Sequence, residues 1–230
     1  LVTNPPKQIE KVFFVSGGSE AIESAIKLSR QYFCDKGETR RSNFIARRQS
    51  YHGNTLGALA IGGNKWRREK FKPLLLDVGR ISPCYAYRDQ MNKETTWDYG
   101  QRVADELELK ILEMGPDTVA AFIAETVVGA TAGAVPAVSG YFKRIREICD
   151  KYGVLLILDE IMCGVGRTGT WFAFEQEEVV PDMITIAKGL AAGYQPIGAL
   201  LVKGNIYENI KTTSGFIHHN FSFMGHPVAC

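Results

Sequence analysis

The sequence has few cysteines and no cysteine pattern of the kind that binds zinc or builds a disulfide framework. Its five cysteines, Cys34, Cys84, Cys149, Cys163 and Cys230, are scattered without CxxC spacing. The four histidines form no ligand pattern with them. We therefore expect no metal site, and we expect a reducing, cytoplasmic compartment.

Long apolar runs and a strong net charge are also missing. No run of apolar residues approaches the roughly 20 that a membrane-spanning helix needs. The net charge of the 230-residue chain is only +2, which gives no reason to expect a nucleic-acid partner. The composition therefore predicts neither a membrane partner nor a nucleic-acid partner.

Short apolar runs alternate with amphipathic segments along most of the chain. The predicted strands are residues 12–15, 43–46, 120–124, 154–158, 183–187 and 197–202. Nearly continuous apolar strands are typical of a parallel sheet that is covered on both faces. Helices are predicted over residues 19–35, 97–114, 140–152 and, more briefly, 205–211, whereas residues 64–96 form an irregular excursion. This alternation predicts an α/β fold with a mostly parallel sheet.

Two motifs suggest nucleotide binding, but each lacks a required companion feature. Residues 155–160, LLILDE, form an apolar strand that ends in two carboxylates, as in P-loop ATPases. That class also needs GxxxxGK[ST], and the dipeptide Gly-Lys occurs nowhere in the chain. Residues 164–169, GVGRTG, fit GxGxxG, but they do not directly follow a strand, and Pro181 leaves little room for a helix. The sequence favours neither interpretation.

A strand, two glycines and a helix start follow one another directly in residues 12–21, VFFVSGGSEA. Glycines let backbone N–H groups approach an anion, and a helix N-terminus adds unpaired N–H groups and its dipole. We predict that Ser19 caps the helix, with Glu20 and Glu23 in its first turn. The motif is either an anion cradle or an ordinary tight turn before a capped helix.

Asp159 and Lys188 each stand at the end of a predicted buried strand. The carboxyl ends of parallel strands meet at one edge of a sheet, where ligands bind, and the two glycines of the helix start lie at the same edge. A phosphate cradle, a carboxylate and an amine together suit a ligand with a phosphate, a basic ring nitrogen and an aldehyde. Pyridoxal 5′-phosphate has these three groups. The alternative is a buried ion pair between Asp159 and Lys188.

Six stretches carry a resemblance to a known family: SGGSEAIESAIKLSR, YHGNTLGALAIGG, AETVVG, LLILDEIMCGVGRTG, PDMITIAKGLAAGYQPIGALLV and HNFSFMGHPVAC. In this order and approximate spacing they resemble the class III pyridoxal-phosphate-dependent aminotransferases of fold type I, in particular the ω-transaminases. The resemblance implies a three-layer αβα large domain with a mostly parallel sheet. Residues 1–230 would be most of that cofactor-binding domain, and an N-terminal segment and a C-terminal small domain would lie outside the chain.

The resemblance also implies roles for individual residues. Lys188 resembles the lysine that forms a Schiff base with the cofactor, and Asp159 resembles the carboxylate that keeps the pyridine nitrogen protonated. Gly17, Gly18 and Ser19 correspond to part of the phosphate cradle.

The other implied contacts surround the cofactor ring. Tyr51 resembles the aromatic residue that stacks on the ring, and Ile161 the aliphatic residue that packs on its opposite face. Glu125 resembles the family's glutamate near the substrate carboxylate and the cofactor edge. His52 is predicted to bind at the cofactor, although it could equally orient its own loop. Ser222 stands where the family has a threonine that reaches the partner subunit's phosphate.

The chain departs from the family pattern beside Glu125. The family commonly has EP(V/I)QG where this chain has ETVVG, so that Val128 replaces a glutamine expected to contact the phenolic oxygen of the cofactor. Thr126 replaces a proline at the same place. How the phenolic oxygen is satisfied is therefore open.

The activity implied is transfer of an amino group from an amine or ω-amino acid to a keto acid by a ping-pong mechanism, in a homodimer with shared active sites. Two other possibilities stay open. One is an aminomutase or decarboxylating enzyme of the same family. The other is a non-catalytic protein that keeps the fold for binding or assembly.

Overall fold

The computed structural model describes residue 1, residue 3 and residues 6–230. The strands, in chain order, are β1 (Ile9–Val15), β2 (Asn43–Arg47), β3 (Gly79–Ile81), β4 (Val119–Glu125), β5 (Val127–Val128), β6 (Val135–Pro136), β7 (Leu155–Asp159), β8 (Met183–Ile186) and β9 (Gly198–Lys203). Each of the six predicted strands is present, with bounds that differ by at most a few residues.

Seven strands form the main sheet in the order β1-β9-β8-β7-β4-β2-β3, and β5 pairs with β6 in a small separate sheet. β9 runs antiparallel to both of its neighbours, β1 and β8. The remaining neighbouring pairs of the main sheet are parallel. The prediction of a mostly parallel sheet is confirmed.

The α-helices are α1 (Gly18–Asp35), α2 (Leu56–Ile61), α3 (Lys65–Arg68), α4 (Ala86–Asp89), α5 (Thr96–Met114), α6 (Tyr141–Tyr152) and α7 (Gly204–Thr213), and short 3-10 helices span Glu69–Leu74, Ala173–Glu177 and Lys188–Ala191. Apolar side chains of α5 and α6 pack in one buried cluster, and those of α1 and α7 pack in another. The sheet lies between the two clusters, which confirms the three-layer αβα architecture. No helix in the described part of the chain combines the length and the apolar character needed to cross a bilayer.

The start of α1 differs from the prediction. The helix begins at Gly18 with Gly17 as its N-cap, and no side chain in the described part of the chain caps it. The Ser19 hydroxyl instead accepts a hydrogen bond from the backbone N–H of Asn54 at 3.1 Å. Glu20 is the acidic residue of the first turn. Glu23 lies further along and accepts a hydrogen bond from the Gly57 N–H at 2.8 Å. Because these groups bond to the neighbouring loop, tertiary contacts replace the predicted cap.

The segment over residues 64–96 is more regular than predicted. It contains the short helices α3 and α4, a 3-10 helix over Glu69–Leu74 and the edge strand β3. β3 has only three residues, which is too short to show a periodic pattern. The guanidinium of Arg80, within β3, donates to the carbonyl of Ile61 at 2.6 Å and to that of Gly62 at 3.0 Å. These bonds tie the excursion to the end of α2.

The central strand β4 generates a prediction about stability. Phe122 is fully buried in it, so Phe122→Ala should lower the free energy of unfolding by about 3–5 kcal/mol through lost burial and the cavity left behind. Leu109→Ala on α5 is the control, because Leu109 is 66% exposed and its truncation should change stability by less than about 0.5 kcal/mol. Chemical denaturation of the full-length protein measures both. Equal losses in the two variants would contradict the placement of the core.

Candidate functional site

Three strand ends bring ionisable side chains to one edge of the sheet. Glu125 ends β4 and lies opposite Asp159, which ends β7. Lys188 follows β8 after one further residue. A narrow pocket opens at this edge, lined by Gly18, Tyr51, His52, Glu125, Ala130, Asp159, Ile161, Met162 and Lys188. The structure thus brings seven of the ten predicted site residues together, with Ala130 and Met162, which the sequence analysis did not identify.

Asp159 is almost fully buried and forms two hydrogen bonds. Its Oδ2 lies 2.7 Å from Nδ1 of His52, and its Oδ1 accepts from the Ile161 N–H at 3.0 Å. The imidazole is buried as well, and its Nε2 has no partner among the described residues. The alternative of a buried Asp159–Lys188 ion pair is therefore wrong, because the carboxylate pairs with His52. The sequence pattern indicates a role for His52 but not this partner, which lies 107 positions away.

Lys188 has an unusual backbone conformation. Its φ of 46° lies in the left-handed region, which residues other than glycine rarely adopt. This conformation costs on the order of 1 kcal/mol or more. The side chain is exposed where it lines the pocket, and it forms no ion pair with any residue that the structure describes. Strain of this kind is concentrated at functional sites. The amine is therefore available to a ligand.

Glu125 is a buried carboxyl group at the pocket wall. Burial raises its pKa from an ordinary value near 4.5 to about 7, although the interactions with His52 and Arg47 partly oppose this. Its Oε1 accepts a hydrogen bond from the Tyr51 N–H at 3.3 Å. Its Oε2 is buried and has no partner among the described residues. Near neutral pH the group is therefore suited either to donate a hydrogen bond to a ligand or to accept one.

The start of α1 borders the pocket and leaves room for an anion. A Cβ atom placed on Gly17 would meet nothing within 4 Å, so the space beside the helix start is open. The N–H groups of a first helical turn have no partner within their own helix. Gly53 has a φ of +128°, and a Cβ there would lie 2.5 Å from the Ser19 hydroxyl. Only glycine therefore lets the Tyr51–His52 loop approach the helix start.

Two apolar contacts complete the pocket. A methyl group of Ile161 lies so close to Gly18 that a Cβ on that glycine would be 2.9 Å from it. Tyr51 is half-buried, and the guanidinium of Arg67 lies 5.1 Å from the centre of its ring. Nothing in the sequence pattern indicated the contact with Arg67.

Five residues with a sequence assignment do not line this pocket: Gly17 and Ser19, which lie at the start of α1, and Ser222, Val128 and Thr126. Ser222 is exposed, lies in a turn and does not line the pocket. Val128 is buried and does not line it either. The Thr126 hydroxyl donates a hydrogen bond to the side chain of Glu160. The same carboxyl group accepts hydrogen bonds from the N–H groups of Ala173 and Phe174. The threonine that replaces the family's proline thus fixes the loop that follows Asp159.

The whole chain, residues 1–230, matches the family model described as aminotransferase class-III. A protein of Gibberella zeae named aminotransferase is 49% identical over 100% of this chain and 46% of its own length. The putrescine–pyruvate aminotransferase of Pseudomonas aeruginosa is 38% identical over 97% of this chain and 48% of its own. An amine transaminase from an uncultivated Pseudomonas species, solved in its PLP-bound form, superposes with a TM-score of 0.93 at 36% identity, covering 97% of this chain and 51% of that one. The chain therefore spans about half the length of the relatives it matches.

The raised pKa of Glu125 gives a prediction about pH dependence. Between about pH 4.5 and 7 the folded state binds the proton that the unfolded state has lost, so the contribution of this group to stability falls as pH rises through that window. Glu125→Gln removes the cost of ionisation. The stability of the variant relative to wild type should therefore be greater at pH 8 than at pH 5, by on the order of 2 kcal/mol in unfolding free energy.

Urea unfolding of the cofactor-free, full-length protein at both pH values measures this difference. Glu113→Gln is the control, because that glutamate is exposed on α5 and its replacement should leave the pH dependence unchanged. A gain for Glu125→Gln that is the same at both pH values would show that the carboxyl group does not titrate in this window.

Proposed function

The chain belongs to the class III aminotransferases, and we propose that it forms most of the cofactor-binding domain of an enzyme that uses pyridoxal 5′-phosphate. The enzyme would transfer an amino group from an amine or ω-amino acid to a keto acid in a ping-pong cycle. One observation carries the proposal: Lys188, Asp159 and the open start of α1 meet at one edge of the sheet. The relatives named as putrescine–pyruvate aminotransferase and amine transaminase support the substrate class.

The residues of the pocket fit this cofactor by their chemistry. Lys188 Nζ would hold its aldehyde carbon, and the Asp159 carboxylate, with lone pairs still free, would accept a hydrogen bond from its ring nitrogen. The N–H groups at residues 17–19 would hold its phosphate. Tyr51 and Ile161 would cover the two faces of its ring. When bound, pyridoxal phosphate supplies an electron sink for negative charge at the substrate carbon.

The protein groups then have distinct tasks. The Asp159 carboxylate would favour a protonated ring nitrogen by charge pairing, and His52 holds that carboxylate in place. Lys188 Nζ would be the base that moves a proton at the substrate carbon. Oε2 of Glu125 lies at the wall of the same pocket and has no hydrogen-bond partner among the residues that the structure describes. It would contact the cofactor edge, where Val128 supplies no polar group.

Two further proposals concern the assembly and its location. The working unit would be a homodimer in which Ser222 reaches the phosphate held by the partner subunit. The exposed position of Ser222, outside its own pocket, supports this arrangement. All five cysteines are free thiols in the described structure, which supports a cytoplasmic location.

The first test concerns Lys188. Borohydride reduction of the full-length protein should fix the cofactor covalently on the peptide that contains Lys188, because only a Schiff base is reduced to a stable amine. Mass spectrometry locates the adduct. Addition of an amine donor before reduction should shift the cofactor absorption band and abolish the adduct, whereas an unchanged spectrum would indicate a binding protein without transaminase activity.

Two variants control the borohydride experiment. Lys188→Ala should give no adduct. Lys203→Ala should give a normal adduct, because Lys203 is paired with Asp182 at 2.7 Å. An adduct located on Lys203 or Lys211 would overturn the assignment of Lys188.

The second test concerns the shared site. Ser222→Ala should weaken cofactor affinity about tenfold, as expected for one lost hydrogen bond to a charged group, and should weaken dimerisation by linkage. Thr213→Ala, an exposed position at the end of α7, is the control and should change neither property. Sedimentation and cofactor titration of the full-length protein measure both. A fully active monomer, or unchanged cofactor affinity in Ser222→Ala, would exclude the shared site.

A further inference from the structure

Arg47 is a buried arginine at the end of β2 that the proposed mechanism does not use. It is 1% exposed, and its guanidinium lies 6.0 Å from the ring centre of Tyr141 and 5.8 Å from that of Phe142. It forms no ion pair with a carboxylate in the described part of the chain. A buried cation without a counter-ion carries a large desolvation cost. Packing alone would favour an apolar residue of similar volume.

The guanidinium of Arg47 is bonded directly to one wall of the pocket. Its Nη2 donates a hydrogen bond to the backbone carbonyl of Glu125, the last residue of β4. The end of β4 is thereby tied to the end of β2, next to the point where the Glu125 side chain enters the pocket.

The backbone of Arg47 fixes the loop that carries Tyr51 and His52. Its carbonyl accepts from the Ser50 hydroxyl at 2.8 Å, and that hydroxyl accepts from the Gly63 N–H at 2.9 Å. A Cβ on Gly63 would lie 2.1 Å from the Arg47 carbonyl oxygen, so the approach requires glycine. One residue therefore touches both the strand that presents Glu125 and the loop that presents the aromatic and imidazole groups.

The charge of Arg47 also acts on the Glu125 carboxyl group. Arg47 and His52 favour the ionised carboxylate, whereas burial and the negative charge of Asp159 oppose it. Lys188 lines the same pocket from the end of β8. Without the charge of Arg47, fewer groups would oppose the effect of burial and Asp159. The neutral form of the Glu125 carboxyl group would then be favoured more strongly.

We propose that Arg47 is a positioning residue that acts through Glu125. Its guanidinium fixes the end of β4 and supplies the positive charge that lets the Glu125 carboxylate exist at the pocket wall. As a step in catalysis this rests on the proposed function, but the effect on Glu125 is a property of the chain itself and is measurable without cofactor.

The test is an infrared titration of the full-length, cofactor-free protein. The C=O band of protonated Glu125 is identified by its disappearance in Glu125→Gln. In Arg47→Gln, which keeps a hydrogen-bond donor but removes the charge, the pH midpoint of this band should move upward by about one pH unit. In Arg47→Lys, which keeps the charge, the midpoint should stay close to that of wild type.

Arg41→Met is the matched control, because Arg41 is also buried and donates to β4, at the carbonyl of Val119 at its opposite end. It should lower stability without moving the band. An unchanged midpoint in Arg47→Gln, or an equal shift in Arg41→Met, would overturn the proposal. If Arg47→Gln does not fold, Arg47→Lys provides the test. A shifted pH midpoint of the Glu125 band in that variant would also overturn the proposal. Failure of the proposed function would appear separately, as the absence of a borohydride adduct on wild-type Lys188.

Discussion

A carboxylate buried at the end of a strand is the constraint around which this edge of the sheet is arranged. Asp159 is nearly inaccessible to water, and a buried carboxylate is tolerated only when hydrogen bonds or opposite charge compensate it. His52 and the Ile161 N–H supply that compensation. The loop that carries His52 must therefore lie against β7, which also brings Tyr51 and Gly53 to the start of α1.

The same edge concentrates groups whose charges depend on one another. Glu125 and Asp159 lie opposite each other on parallel strands, so two carboxyl groups share one small volume. Burial and this proximity favour a neutral Glu125, whereas His52 and Arg47 favour its ionised form. The strained backbone of Lys188 is consistent with a site that is shaped for a ligand more than for stability.

Much of the fold was accessible from local pattern. The apolar runs predicted the central strands, and helical spacing predicted α1, α5 and α6 to within a few residues. The short elements β3 and α2–α4 escaped prediction because a few residues show no period. The predicted cap at Ser19 failed because its hydroxyl bonds to Asn54, which is 35 positions away. A local rule has no access to such a partner.

The sequence by itself determined which residues end the buried strands, and with them the chemistry available at the sheet edge: the Asp159 carboxylate, the Lys188 amine and the glycines before α1. Local composition suffices for this, because strand ends and helix starts are local features. Only the tertiary structure decided which of these groups meet. The pairing of His52 with Asp159, the bond from Arg47 to Glu125 and the position of Ser222 outside the pocket depend on strand order. Strand order arises from packing between segments far apart in the chain, and no local pattern encodes it.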